Sequence, residues 1–181
     1  MTATAWLDTD TLDELQKEAA AAGAYLNPSK LTDKERRVRF VGQGITGWTS
    51  WTTEDKPVRW EEKPAELPDN LKPDLGGKIS VKRFLATLVY DYESEEFKIF
   101  EITQKSLMEQ LFKYIKDSDY GDPTEYDIKL SKTGSGKETS YSLVAAPPKP
   151  IAKDITARFN ELTCKLSALF DGDDPFAEPK A

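Results

Sequence analysis

Residues 36–53 read Arg36-Arg37-Val38-Arg39-Phe40-Val41-Gly42-Gln43-Gly44-Ile45-Thr46-Gly47-Trp48-Thr49-Ser50-Trp51-Thr52-Thr53. In an extended chain Val38 and Phe40 share one face, and Arg37, Arg39 and Val41 share the other, so 36–41 predicts a strand. Gly42, Gly44 and Gly47 then call for bends or bulges. Trp48 to Thr53 has strand composition again. Glu54-Asp55-Lys56-Pro57 predicts a turn, and Val58-Arg59-Trp60 a short return.

Outward from this stretch, the prolines and glycines of 61–78 predict a long irregular loop, a length at which loops are often functional. Ile79 to Tyr92 is the longest strand candidate. With Glu93-Ser94-Glu95-Glu96 as the turn and Phe97 to Ile102 as the return, it makes a hairpin. Leu107, Leu111 and Ile115 form one stripe of a helix predicted over 104–116, with Met108 and Phe112 beside it. Glu125 to Lys132 and Lys137 to Ala145 predict a second hairpin around Thr133-Gly134-Ser135-Gly136. Pro147, Pro148 and Pro150 end the sheet. Leu12, Leu15 and Ala19 predict a helix over 11–22. Ile155, Phe159, Leu162, Leu166 and Leu169 predict a last helix from Asp154 to about Phe170. The acidic residues 171–181 predict a disordered tail.

The expected fold is mainly β with helices: an OB-like Greek-key barrel of five or six strands with one helix between strands. An open α+β sheet fits the same order. The expected organisation is an N-terminal helix or arm over 1–30, the OB-like domain over 31–150, a C-terminal helix over 151–170 and the tail over 171–181.

Composition excludes several functions. The chain of 181 residues holds no histidine, which removes histidine triads, a histidine base and histidine-ligated metals. One cysteine, Cys164, allows neither an intramolecular disulfide nor a cysteine zinc cluster. The net charge of −7 excludes a uniformly basic nucleic-acid binder. That charge is uneven: residues 1–35 carry 3 basic and 7 acidic side chains, residues 36–150 carry 18 and 19, and residues 151–181 carry 4 and 6. A nearly neutral body can still hold a basic face between acidic ends. No apolar run approaches the ~18 residues of a membrane-spanning helix, and no signal-peptide pattern opens the sequence. No membrane contact is expected, and a cytoplasmic setting is.

Lys132-Thr133-Gly134-Ser135-Gly136-Lys137 lacks the spacing of a phosphate loop and reads as a hairpin turn. Asp127-Ile128-Lys129, with Asp119 and Asp122 upstream, is compatible with Mg²⁺-dependent nuclease chemistry, in which two carboxylates hold the ion and a lysine steadies the phosphate. The alternative is a solvated strand face. Cys164 has no histidine to activate it and reads as structural.

The stronger signal is the interleaving of cations and rings. Arg36, Arg37, Arg39, Trp48, Trp51, Arg59 and Trp60 fall close together, and Lys78, Lys82, Arg83 and Tyr90 follow. Cations that track phosphates beside rings that stack on bases are what single-strand binding requires. Core packing is the competing use of any one ring. In the tail, Asp171, Asp173, Asp174 and Phe176 combine acid with an aromatic group. Such a segment can occupy a cationic groove and compete with DNA. It can also dock on a partner through Phe176.

These residues together resemble the single-stranded-DNA-binding proteins of tailed bacteriophages. The resemblance rests on Val38-Arg39-Phe40, Gly47-Trp48 and Trp51, on Ile102 to Ser106 opening a helix, on Tyr120 to Thr124 with Tyr126 to Ile128, and on the glycine hairpin returning through Tyr141. It covers about residues 25–150. The tail resembles the acidic Asp-Asp-Asp-Ile-Pro-Phe tip of bacterial single-stranded-DNA-binding proteins. It departs from that tip in lacking the isoleucine and in carrying five residues beyond Phe176. The resemblance implies an OB-fold body that coats single-stranded DNA in phage replication, recombination and repair within the host cytoplasm. It implies Arg37, Arg39, Lys82 and Arg83 on phosphates and Trp48, Trp51 and Tyr90 stacking on bases. It also implies no enzymatic activity, no cofactor, replication or recombination proteins as partners of the tail, and a possible homo-oligomer. Some phage proteins of this kind hold zinc, for which this sequence has no ligand set. Two other functions stay open: an acidic protein-binding factor (a DNA mimic or a replication-assembly protein), and the nuclease.

Overall fold

The computed structural model describes residues 8–12, 14, 15 and 23–178. Its strands are β1 (Tyr25–Leu26), β2 (Arg36–Trp51), β3 (Pro57–Trp60), β4 (Lys82–Asp91), β5 (Glu96–Ile102), β6 (Asp127–Thr133) and β7 (Ser140–Ala145). Helices α1 (Lys105–Ile115) and α2 (Lys153–Glu161) follow in the same order. Of the helix expected over 11–22, residues 11, 12, 14 and 15 are helical, and 13 and 16–22 lie outside the described residues.

The two strands expected across 36–53 are one strand of 16 residues. The glycines do not end it, because the extra residues are absorbed in a bulge. The β2–β4 register shifts between Val41 and Ile45, and Gly42 adopts φ +70°, a conformation that favours glycine. β2 pairs with β6 through Arg36 to Arg39, with β4 from Val38 to Thr49, and with β3 from Trp48 to Trp51. One half of β2 is thus flanked by β4 and β6, and the other by β4 and β3. The sheet curls around it into a half-barrel of order β1-β5-β4-β2-β6-β7. β1 runs parallel to β5, which makes the sheet mixed and brings residues 25 and 26 into the body.

Alternation divides the side chains cleanly. Val38, Phe40, Val89, Phe100 and Ile102 face inward, meet Ile128, Leu130 and Leu143, and are closed over by Leu107 and Leu111 of α1. Val41, Phe84, Ala86, Leu88 and Ile99 face outward and form a second apolar cluster.

No ladder joins β7 to β5. Helix α1 stands at that edge instead. The Gln110 side chain donates Nε2–H to the Tyr141 carbonyl at 2.9 Å and accepts from the Leu143 amide at 2.8 Å. One amide thereby supplies the donor and acceptor that a neighbouring strand would have supplied, and it blunts an edge open to unwanted pairing.

The C-terminal expectations need correction. The last helix ends at Glu161, Leu162 is extended, and a 3₁₀ turn covers Leu166–Asp171. Leu162, Cys164, Leu166, Leu169 and Phe170 all pack on the outward cluster. Gly47 is the site of closest approach: a Cβ there would lie 2.8 Å from the Phe170 ring and 2.5 Å from the Trp60 carbonyl. The segment over 171–178, expected to be disordered, also folds back. The Pro175 carbonyl accepts from the Lys165 amide at 2.8 Å, Pro175 is buried, and Phe176 packs on the outward cluster. Apolar burial outweighs the local acidic composition. Residues 151–178 are therefore a strap across the outer face of the sheet.

Replacing Gln110 with alanine orphans the Tyr141 carbonyl and the Leu143 amide. The expected loss is about 1–3 kcal/mol of unfolding free energy, read from urea denaturation. Unchanged stability would mean that α1 does not close this edge.

Candidate nucleic-acid interface

The arginines of β2 alternate between the two faces of the strand, and each finds a buried carboxylate on an adjacent strand. Inward, Arg36 donates Nε–H to Asp91 of β4 at 3.2 Å. Asp91 also takes Ser94 Oγ–H at 2.7 Å and lies 3.2 Å from Lys98 Nζ. Outward, Asp127 of β6 accepts from Arg37 Nε at 2.7 Å, Arg39 Nη1 at 3.2 Å and the Tyr92 hydroxyl at 2.9 Å, with Lys149 Nζ at 3.4 Å. Arg39 completes its donors on the carbonyls of Thr124 and Lys149 and is 2% exposed.

Burial pushes the Asp91 carboxyl up, but hydrogen bonds from Arg36, Ser94 and Lys98 outweigh it and hold the group at about 2. Asp127 is likewise held below the usual carboxylate range, with Arg37, Tyr92 and Arg39 outweighing desolvation. The Tyr92 hydroxyl is pushed up to about 12 by burial and by Asp127 beside it.

Of the β2 arginines expected on DNA, Arg39 is corrected to a buried structural role, whereas Arg36 and Arg37 keep partly exposed side chains. All three neutralise carboxylates of this chain, and Arg39 has no path to solvent. Arg59 is likewise engaged: its Nη2 lies 2.6 Å from Glu101, and its guanidinium sits over Phe84 at 6.0 Å. Tyr90 is 5% exposed and packs edge-on against Tyr92 and Phe97, with Arg158 over its ring, so it is not a stacking platform. In the nuclease reading Asp127 would hold a metal, but here its oxygens already accept from two arginines and a tyrosine. Among the described residues no group of three or more potential acidic or cysteine ligands converges. Phe176, expected to reach a partner, faces the strap's own core, while Asp171, Asp173 and Asp174 are exposed.

The remaining expected residues gather on the far half of β2 with β3 and the start of β4. Register puts Trp60, Trp48 and Arg83 in one row on the inner face. The Arg83 guanidinium and Lys63 Nζ each sit 5.2 Å from the Trp48 ring centre, and Arg83 donates Nε–H to Thr46 Oγ1 at 2.9 Å. The opposite face carries the row Arg59, Thr49 and Lys82, with Trp51 one pleat further along. Trp51 is 53% exposed. Lys63, Lys78, Lys82 and Arg83 are all exposed and form no ion pair with a carboxylate among the described residues. Beside Trp51 a pocket of about 300 Å³ opens, lined by Tyr25, Leu26, Pro57, Arg59, Glu101 and Gln104 among others.

Lys63, Glu101, Gln104 and Tyr25 were not singled out by sequence. Lys63 lies in the proline-rich loop and Glu101 and Tyr25 on other strands, so only register and loop path bring them to the tryptophans. Comparison with protein-family models, curated proteins and solved structures finds no match for this chain. No helix among the described residues is long and apolar enough to cross a membrane.

The carboxylate network sets acid stability. Asp91 is held below its unfolded value of about 3.9, so its contribution is fully present above that pH and is lost as pH falls toward about 2. Thermal unfolding followed from pH 6 to pH 2 is expected to show the steepest fall in this window. Asp127→Asn leaves buried Arg39 without its counter-charge, with an expected cost of about 3–5 kcal/mol at pH 7. An unchanged denaturation midpoint would remove Asp127 as the anchor of β2.

Proposed function

We propose that this chain is a non-enzymatic single-stranded-DNA-binding protein that coats unpaired strands with little sequence preference, and that its half-barrel is OB-like. The fold reading is supported by strand order. β2, β4 and β5 form a meander, α1 intervenes, and β6 returns to the free side of β2 before β7. An OB barrel follows a Greek-key path of this order, and in this reading Gln110 stands where the closing ladder would be.

One observation carries the binding reading: exposed cations that form no ion pair with a carboxylate among the described residues stand beside tryptophans on both faces of the β2–β3–β4 arm. Cations beside flat rings supply phosphate attraction and base stacking together. The phosphate role passes from the β2 arginines to Lys63, Lys78, Lys82 and Arg83, and the stacking role rests on Trp51. In OB folds the face of the second and third barrel strands commonly takes the oligonucleotide. The corresponding outer face of β4 and β5 lies under the strap here, so a strand bound with the strap in place runs along the arm.

The acidic end modulates binding in this reading. Asp174 is close enough to Tyr25, at the pocket beside Trp51, to bias its hydroxyl. Its charge opposes a phosphate there. Recruitment of replication or recombination proteins through Phe176 requires that ring to leave the outward cluster. The setting is a phage replication or recombination apparatus in the host cytoplasm.

The second reading is an acidic protein that docks on another protein. It is favoured by the neutralisation of Arg36, Arg37, Arg39 and Arg59 within the chain, on a net charge of −7. Titration of a labelled thymidine oligonucleotide at low salt separates the two, since only the first predicts a complex.

Changing Lys82 and Arg83 together to alanine is expected to weaken that complex several-fold. The salt dependence should flatten by about 0.7 in the log–log slope per lost phosphate contact, with the thermal midpoint maintained. Replacing Asp171, Asp173 and Asp174 with asparagine is expected to tighten binding at low salt, with the gain fading as salt rises. Equal affinities across these variants would overturn the placement of the DNA path.

A further inference from the structure

The pocket beside Trp51 combines a flat exposed ring with a half-buried charge pair. Trp51 and Pro57 face each other across β2 and β3, and Tyr25 contributes a second ring to the lining. At the deeper side Arg59 holds Glu101 through Nε and Nη2. The Arg59 side chain is only 8% exposed, and its Nη1 has no hydrogen-bond partner among the described residues. Gln104 accepts the Thr103 amide proton through Oε1 at 3.2 Å, leaving its Nε2 donors without a partner among the described residues. The Glu101 carboxylate, engaged along one edge, retains lone pairs. A donor and an acceptor thus stand side by side at the end of a stacking surface.

We infer that this pocket is a nucleobase subsite: one unpaired base stacks on Trp51 and turns its hydrogen-bonding edge toward Arg59, Glu101 and Gln104. The inference rests on the single-strand-binding reading and specifies where a base, rather than the backbone, is held. The volume of about 300 Å³ lies at the small end of ligand pockets and suits one ring system. A phenylalanine or leucine of a protein partner would use the ring but cover the half-buried Arg59–Glu101 edge without answering it, at a desolvation cost. A nucleobase answers both, because every base carries donors and acceptors on its pairing edge. Lys82, one pleat from Trp51 on the same face of the sheet, is placed for the adjoining phosphate.

The test uses the full chain and fluorescence anisotropy with two labelled probes at moderate salt, a thymidine 12-mer and the same oligomer with abasic residues. Wild type is expected to prefer the base-bearing oligomer by about ten-fold, within the range a stacked base contributes. Trp51→Ala is expected to lose that preference while keeping the weaker affinity for the abasic chain. Trp51→Phe is expected to retain most of the preference. Trp51 is exposed, so both variants should keep the wild-type thermal midpoint, which circular dichroism verifies. Binding of the two probes with equal affinity, or a preference that survives Trp51→Ala, overturns the subsite and leaves single-strand binding standing. Failure of wild type to bind either probe overturns both.

Discussion

Two buried carboxylates, Asp91 and Asp127, fix the geometry on which the rest of this protein depends. They come from the strands on either side of β2 and take the arginines that β2 sends alternately to its two faces. A carboxylate with no exposed surface is tolerable only when its charge is matched and its lone pairs are filled. Asp127 meets that demand with Arg37, Arg39, Tyr92 and Lys149, and Asp91 with Arg36, Ser94 and Lys98. Because the partners come from several elements, the network locks register as well as charge. A one-residue slip of β2 would bury arginines against apolar neighbours on both faces at once.

That network divides the cations of the chain into two populations. The arginines on the first half of β2 hold the sheet together, whereas Lys82 and Arg83 at the start of β4, with Lys63 and Lys78 of the long loop, form no ion pair with a carboxylate among the described residues. The outer face of the sheet divides in the same way. Over β4 and β5 it is apolar and covered by residues 151–178. Past Gly47 it opens into the arm that carries Trp51 and its pocket. Gly47 marks the boundary because only the absence of a side chain lets Phe170 and Phe84 close beneath the strand. Structural charge thus sits on β2 before the bulge, and accessible charge on β4 and the long loop beside its far half.

Much of the fold was legible in the sequence. Period-two alternation located β2, β4, β5, β6 and β7, helical spacing located α1, and polar turn residues, with glycine at 134 and 136, located the hairpins. These signals are local, since they depend only on which side chains must share a face. The failures were non-local. The strap was read as a straight helix and a loose tail because nothing in residues 162–178 reveals that an apolar face awaits them. The 16-residue length of β2 was read as two strands because glycine marks a bulge and a break alike.

For the candidate site, residue types were legible and their roles were not. An arginine reads the same in sequence whether it meets a phosphate or a buried aspartate 88 positions away, as Arg39 does. The sequence by itself determined that the chain is β-rich, lacks histidine chemistry and concentrates rings and cations between residues 36 and 92. Only the tertiary structure decided which of those cations are neutralised, which rings are entombed and which one, Trp51, faces solvent. The reason is physical: electrostatic pairing and burial are set by neighbours across the sheet, and those neighbours are assigned by register, which no single strand contains.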